Sequence, residues 1–155
     1  MMEWITPKTD WSGHYDAAGF FDGDYINIED YNRIKNNILY LREMAKNFFG
    51  KMPRLTIPVD KHEIDPDNED FDNDNYFADE WNEIEDAFET LVNKIGRWYY
   101  GEKMTFYDNG HMIDYTELNR LEQAELSLYN HMIDAISGQK RLSFRLGTSS
   151  RDIKI

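Results

Sequence analysis

The sequence predicts a mainly α protein, a small three-helix bundle with short β-strands, with an α+β arrangement as the variant. Three stretches carry apolar residues at helical spacing. The pieces between them are short and alternate apolar with polar residues. One local pattern, a turn followed by a capped helix, occurs three times along the chain. With 155 residues, one domain spanning 1–155 is the expectation, large enough for a single core.

The first two dozen residues are rich in Trp, Gly, Asp and aromatics without a period and read as an ordered loop. Trp4, Trp11, Tyr15 and Tyr25 are costly to leave in water. A first helix follows from about Ile28 to Phe48, so that residues 1–48 hold the loop and the first motif helix. Its apolar positions Tyr31, Ile34, Ile38, Leu41, Ala45 and Phe48 are spaced 3, 4, 3, 4, 3, a stripe along one helix face. Leu55, Ile57 and Val59 then alternate as a strand that Pro58 restricts to an edge or an irregular place. The second helix runs from about Ala78 to Trp98, with Trp81, Ile84, Phe88, Leu91, Ile95 and Trp98 repeating that spacing. Met104 and Phe106 alternate ahead of the turn signal Asp108-Asn109-Gly110. The third helix covers about Tyr115 to Ile136, within a unit at 104–137. Its stripe is Leu118, Leu121, Ala124, Leu128, Met132 and Ala135. Leu142, Phe144 and Leu146 alternate at the end and predict a C-terminal strand over 140–147.

The repeated pattern is an aromatic, an Asp/Gly/Asn turn, an apolar residue, then a helix with Asn at its fifth position. Phe21-Asp22-Gly23-Asp24 leads to Ile26, Asn27, Tyr31 and Asn32. Fifty residues later Phe71-Asp72-Asn73-Asp74 leads to Tyr76, Trp81 and Asn82. Tyr107-Asp108-Asn109-Gly110 leads to Ile113, Asp114, Leu118 and Asn119. Asn27 with Asp30, and Asp114 with Glu117, have the spacing of a capping box. Ile26 with Tyr31, Tyr76 with Trp81 and Ile113 with Leu118 sit at hydrophobic-staple positions. The second unit has Phe77 where its cap belongs. Asn is mildly unfavourable inside a helix, so Asn32, Asn82 and Asn119 are expected to bond the backbone of the preceding loop. Arg33 and Arg120 follow two of them and have the same option, or a carboxylate partner. The second unit has Glu83 there instead.

Charge is uneven. Asp and Glu number 30 against 17 Lys and Arg, a net charge of −13. The stretch from 62 to 93 holds 13 acids and no Lys or Arg, so the whole imbalance sits there. Such a balance repels nucleic-acid phosphates and anionic lipid heads, and neither nucleic acid nor membrane is expected as a partner. Lys140, Arg141, Arg145, Arg151 and Lys154 make a small basic end, suited to an acidic patch on another copy or to plain solvation. The absence of cysteine excludes a disulfide framework, a thiolate metal site and a cysteine nucleophile. No apolar run approaches the roughly 18 residues of a membrane helix. The opening Met1-Met2-Glu3-Trp4 lacks the regions of a secretion signal, so synthesis and folding in a cytoplasm are expected.

No constellation for catalysis stands out. There is no His-Glu-x-x-His, no phosphate loop, no nucleophile elbow and no dinucleotide fingerprint. Ser12, His14 and Asp16 are triad residue types, but triads assemble from distant segments. The four His lack ligand spacing. Asp70, Asp72 and Asp74 begin like a calcium loop, which then fails with Asn75 at position six and Trp81 at position twelve. No cofactor, metal or catalytic residue is expected.

The run Trp4-Ile5-Thr6-Pro7-Lys8-Thr9-Asp10-Trp11, followed by Asp24-Tyr25-Ile26-Asn27-Ile28-Glu29-Asp30-Tyr31-Asn32-Arg33-Ile34, resembles a signature of virion proteins. These are the tail, baseplate and fibre-associated proteins of tailed phages and prophages of Gram-positive bacteria. The resemblance covers about the first 45 residues, and Leu118-Asn119-Arg120-Leu121-Glu122 repeats its core. It implies a non-enzymatic tail, baseplate or connector component, made in the host cytoplasm and residing in the virion. Other virion proteins and further copies of this chain are then the expected partners. Two other readings remain open: a carbohydrate or cell-surface binding module carried on a particle, and an acidic regulator that mimics nucleic acid.

Overall fold

The computed structural model describes residues 2–62, 76–96, 100–108, 110 and 113–152, with side chains as far as 138. Three helices carry it: α1 (Ile28–Phe49), α2 (Ala78–Ile95) and α3 (Tyr115–Asp152). A two-stranded antiparallel sheet precedes them, β1 (Gly13–Tyr15) and β2 (Phe21–Gly23). The fold is therefore mainly α with short strands, as the periodicity predicts.

The predicted stripes form the core. Tyr31, Ile34, Ile38, Leu41 and Ala45 of α1 are buried against Trp81, Ile84, Phe88 and Leu91 of α2 and Leu118, Leu121, Leu128 and Met132 of α3. The predicted end of the first stripe, Phe48, is 38% exposed and lies outside the core. Trp98 and the turn Phe71-Asp72-Asn73-Asp74 lie outside the described residues, as do Asp70, Asp72 and Asp74 of the calcium reading.

Helix starts follow the local chemistry. Asn27 Oδ1 accepts from the Asp30 N–H at 2.8 Å, and Asp30 Oδ2 accepts from the Asn27 N–H at 3.1 Å. Asp114 Oδ1 accepts from Thr116 and Glu117, and Glu117 Oε2 accepts from the Asp114 N–H. Both boxes are complete. α2 has half of one: Glu80 Oε2 accepts from the Phe77 N–H, and phenylalanine has nothing to return. Asn27→Ala and Asp114→Ala are each expected to lower stability by about 1 kcal/mol in chemical denaturation; two unchanged midpoints would refute the capping role.

Three strand expectations need correction. Residues 55–59 and 104–106 are extended but join no ladder. The segment 140–147 is helical, part of α3. Its apolar residues satisfy two periods at once: Leu142 and Leu146 extend the 3–4 spacing from Met132 and Ala135 as readily as they alternate. An unbroken helix keeps every backbone hydrogen bond within itself, whereas an isolated strand here has no partner.

The supposed N-terminal loop instead contains the only sheet among the described residues. Gly13 pairs with Gly23, His14 with Asp22 and Tyr15 with Phe21. Asp16 closes the turn, its Oδ1 accepting from Ala18 and Phe20. At Gly23, with φ +157°, an added Cβ would stand 2.4 Å from Gly13 Cα, so the two strands meet over bare backbone.

Contacts between α1 and α3 advance in step along both helices. Arg33 meets Glu122, Asn37 meets Glu125, and Tyr40 packs 6.4 Å from Tyr129. The two helices therefore run parallel.

Candidate functional site

The motif asparagines act alike. Asn32 Nδ2 donates to the Lys61 carbonyl at 2.7 Å while its Oδ1 accepts from the Lys61 N–H at 2.9 Å. Asn82 holds Phe106 by the same two bonds, both 2.8 Å. Asn119 holds Trp11 at 2.7 and 2.8 Å. In each case the amide does what a residue on a neighbouring strand would do, exchanging both backbone hydrogen bonds with one partner. That explains why 55–61 and 104–106 alternate like strands without joining a sheet. Their backbone is satisfied by a side chain.

The clamps are not local, as the sequence reading expected. Asn32 holds the segment leading to α2, Asn82 the segment leading to α3, and Asn119 the segment leading to α1. The three units thus close a ring, each helix gripping the approach to the next. Trp11 and Lys61 are fifty residues apart, as are Asn32 and Asn82. The gripped residues Trp11, Lys61 and Phe106 are 3%, 5% and 4% exposed. A fourth amide, Asn37, holds Ile5 in the same manner at 2.8 and 3.2 Å.

Charge pairs join the helices at two of the three junctions. Arg33, one residue after its asparagine, meets Glu122, three residues after its own, at 2.7 and 3.1 Å. It also bonds Asp30 at 2.7 Å. Arg120, again one residue after its asparagine, pairs with Glu85, three residues after its own. At the third junction the signs are reversed in sequence: Glu83 replaces Arg, and Lys35 replaces Glu. Lys35 is buried and pairs with Asp60. Burial opposes the Arg33 charge, but Glu122 and Asp30 outweigh it and raise its pKa. Burial raises the pKa of Glu85 against the opposing pull of Arg120.

The N-terminal residues form a strap across α1 and α3. Trp4 stacks on Tyr129 at 4.2 Å and 6°. Lys8 N–H donates to Glu122 Oε1 at 3.1 Å, and the Trp11 indole N–H donates to Glu122 Oε2. Glu122 therefore serves Arg33, Lys8 and Trp11 together. Ile26 and Ile113 pack partly buried on the core, whose members include Tyr31, Trp81 and Leu118. Tyr31 lies 5.4 Å from Trp81, edge to face.

The structure thus brings together Trp11, Asn119, Arg33 and Glu122 at one junction, and Arg120 with Glu85 at another. Asn27 and Asp114 stand apart as caps. The sequence reading missed Asn37, Glu85, Glu122 and Glu125, all buried. The signal available was polar residues set next to apolar stripes, and for Glu85 and Glu122 a shared place three residues after the motif asparagine. Ser12, His14 and Asp16 make no triad: His14 faces Asp22 at 3.3 Å, and Ser12 Oγ faces Asp24. Among the described residues no group of three or more acids and histidines is placed to hold a metal ion, and no helix is long and apolar enough to cross a membrane. Comparison with family models, curated proteins and solved structures finds no match.

Proposed function

We propose that this chain is a non-enzymatic structural component of a tailed-phage particle, a tail, baseplate or connector part acting through protein–protein contacts. One observation carries the reading. Of the residues that resemble the virion signature, Trp4, Trp11, Asn32 and Arg33 serve internal joints and Asn27 caps its own helix, and the third-unit counterparts Asn119 and Arg120 serve joints as well. A motif committed to clamping one helix onto the next segment suits a rigid building block. It leaves none of these side chains directed at a reactant.

Exposed aromatics add anchors for neighbours. Tyr15, Phe20 and Tyr25 on and beside the hairpin are 74%, 70% and 71% exposed, and aromatic residues dominate the energetics of protein interfaces. Further copies of this chain are among the proposed partners, since tail parts assemble symmetrically. Quantitative mass spectrometry of purified particles from a phage carrying this gene tests the proposal. A fixed copy number matching a tail symmetry is the expected result. Absence from particles, with the protein abundant in infected cells, would overturn it.

A further inference from the structure

The three helices share one direction, and the segment 53–61 shows it. The Pro53 carbonyl accepts from Arg42 Nε at 2.7 Å, and Asn32 grips Lys61, so the segment descends α1. Leu55 and Thr56 share a groove with Asp86 and Thr90, while Lys61 pairs with Glu80, so it descends α2 as well. α3 is parallel to α1. All three helices therefore begin at the hairpin end of the bundle.

The opposite end belongs to α3 alone. Arg33 meets Glu122, Asn37 meets Glu125 and Tyr40 faces Tyr129. That register sets Phe49, the last residue of α1, beside 138. α3 continues to Asp152, about 21 Å farther at a rise of about 1.5 Å per residue. A Cβ added at Gly138 would meet nothing within 4 Å. A lone helix of this length is marginal in water, and Gly147 weakens it further, so the segment gains stability by packing on a partner. Its sequence sets the chemistry of that partner. Lys140, Arg141, Arg145 and Arg151 stand against the single acid Asp152, with Leu142 and Leu146 four residues apart.

We infer that copies of this chain associate head to tail, the 139–152 tip of α3 from one copy docking on the aromatic hairpin face of the next. The hairpin end supplies the complement. Tyr15, Phe20 and Tyr25 are exposed, and Phe21 meets Tyr15 at 5.6 Å and Tyr25 at 5.2 Å, both edge to face. Rings held in fixed orientations cost a partner less to order. Tyr115 closes on the bare face of Gly13 beside Phe21, which ties the hairpin to the start of α3. Residues 10–30 hold six acids and no Lys or Arg, and Asp16, Asp22 and Glu29 are exposed. Arginine is the cation that pairs with carboxylates and also stacks on aromatic rings.

The contact has to form between molecules. α3 has 38 residues, a length of about 57 Å, and it starts at the hairpin end, so its tip cannot reach its own hairpin. Like charge keeps two tips apart. A second copy presents both complementary faces, and each docking leaves one tip and one hairpin free. Such a contact propagates, closing into a ring or growing as a stack. The inference stands on this complementarity and not on the virion reading.

Sedimentation velocity of the intact chain at about 50 mM salt is the test. The mean mass is expected to rise above that of one chain between about 5 and 200 μM. It is expected to fall back at about 0.5 M salt, where exposed charges are screened. Two full-length variants divide the contact. Arg141→Glu with Arg145→Glu reverses the tip, and Tyr15→Ser with Asp22→Lys disables the hairpin face. Each is expected to weaken self-association about tenfold or more while keeping the parent's melting temperature, which shows an intact fold. Mixed in equal amounts, the two variants are expected to form a dimer and nothing larger, since one sound tip meets one sound hairpin. A parent chain that stays single at every concentration, association that the tip variant retains, or a mixture without dimer would overturn the inference. So would self-association of the hairpin variant, the mark of tips pairing with tips. Particle incorporation is read separately by the mass spectrometry, so either reading can fail without the other.

Discussion

Exchanging Glu125 for glutamine is expected to stabilise the protein at neutral pH and to flatten its pH dependence. Glu125 lies wholly inside the bundle. Its Oε2 meets Asn37 Nδ2 at 3.4 Å, and its Oε1 has no partner. Burial raises its pKa well above the ordinary 4.5, and the Glu122 carboxylate three residues back raises it further. From α1, Asn37 and Arg33 pull the other way without prevailing. The folded chain therefore holds this proton more tightly than the unfolded chain. That contribution is fully present below about pH 4.5 and is lost as pH rises through the folded-state pKa. Glutamine keeps the shape, supplies an uncharged group and removes the titration. A gain of about 1–3 kcal/mol at pH 7 is expected in denaturant unfolding, shrinking toward acid pH. Destabilisation at pH 7, or an unchanged slope of stability against pH, would show that Glu125 is better accommodated than its surroundings indicate.

The second large effect belongs to the clamps. Asn82→Ala removes one side chain and leaves the buried Phe106 N–H and carbonyl both without a partner. Each orphaned backbone group costs about 1–3 kcal/mol, so a loss of about 2–5 kcal/mol is expected. Asn119→Ala should cost a similar amount by freeing Trp11, and Asn32→Ala by freeing Lys61. Asp in place of Asn separates clamping from mere polarity. It retains the acceptor but turns a second oxygen toward the Phe106 carbonyl, where a donor stood. Asn82→Asp is therefore expected to be at least as damaging as Asn82→Ala at neutral pH. If the aspartate variant matches the parent in stability, the two-bond clamp is not what holds 104–106 in place.

These two predictions mark where the sequence is legible and where it is not. The helices were legible because Tyr31, Ile34, Ile38, Leu41 and Ala45, and their counterparts in α2 and α3, follow a period that only a helix face satisfies. The caps at Asn27 and Asp114 were legible because a capping box is made within four residues. The hairpin was not, since Gly13–Tyr15 and Phe21–Gly23 are three residues each, too short to show alternation. The end of α3 was misread because Leu142 and Leu146 fit both periods.

The asparagines show the division most clearly. Their recurrence at the fifth position of each helix was visible in the residues, and so was their need for a backbone partner. What they grip was not. A side-chain amide accepts any extended segment that reaches it, and Asn119 reaches Trp11 across 108 positions. The sequence by itself determined three helices, their buried faces and two of their capped starts, because those depend on neighbours within a turn or two. Only the tertiary structure decided that the units close into a ring, that α1 and α3 run parallel, and that Glu122 joins Arg33, Lys8 and Trp11. Those outcomes depend on which distant polar groups are buried together, where an unpartnered group costs more than a misplaced apolar one.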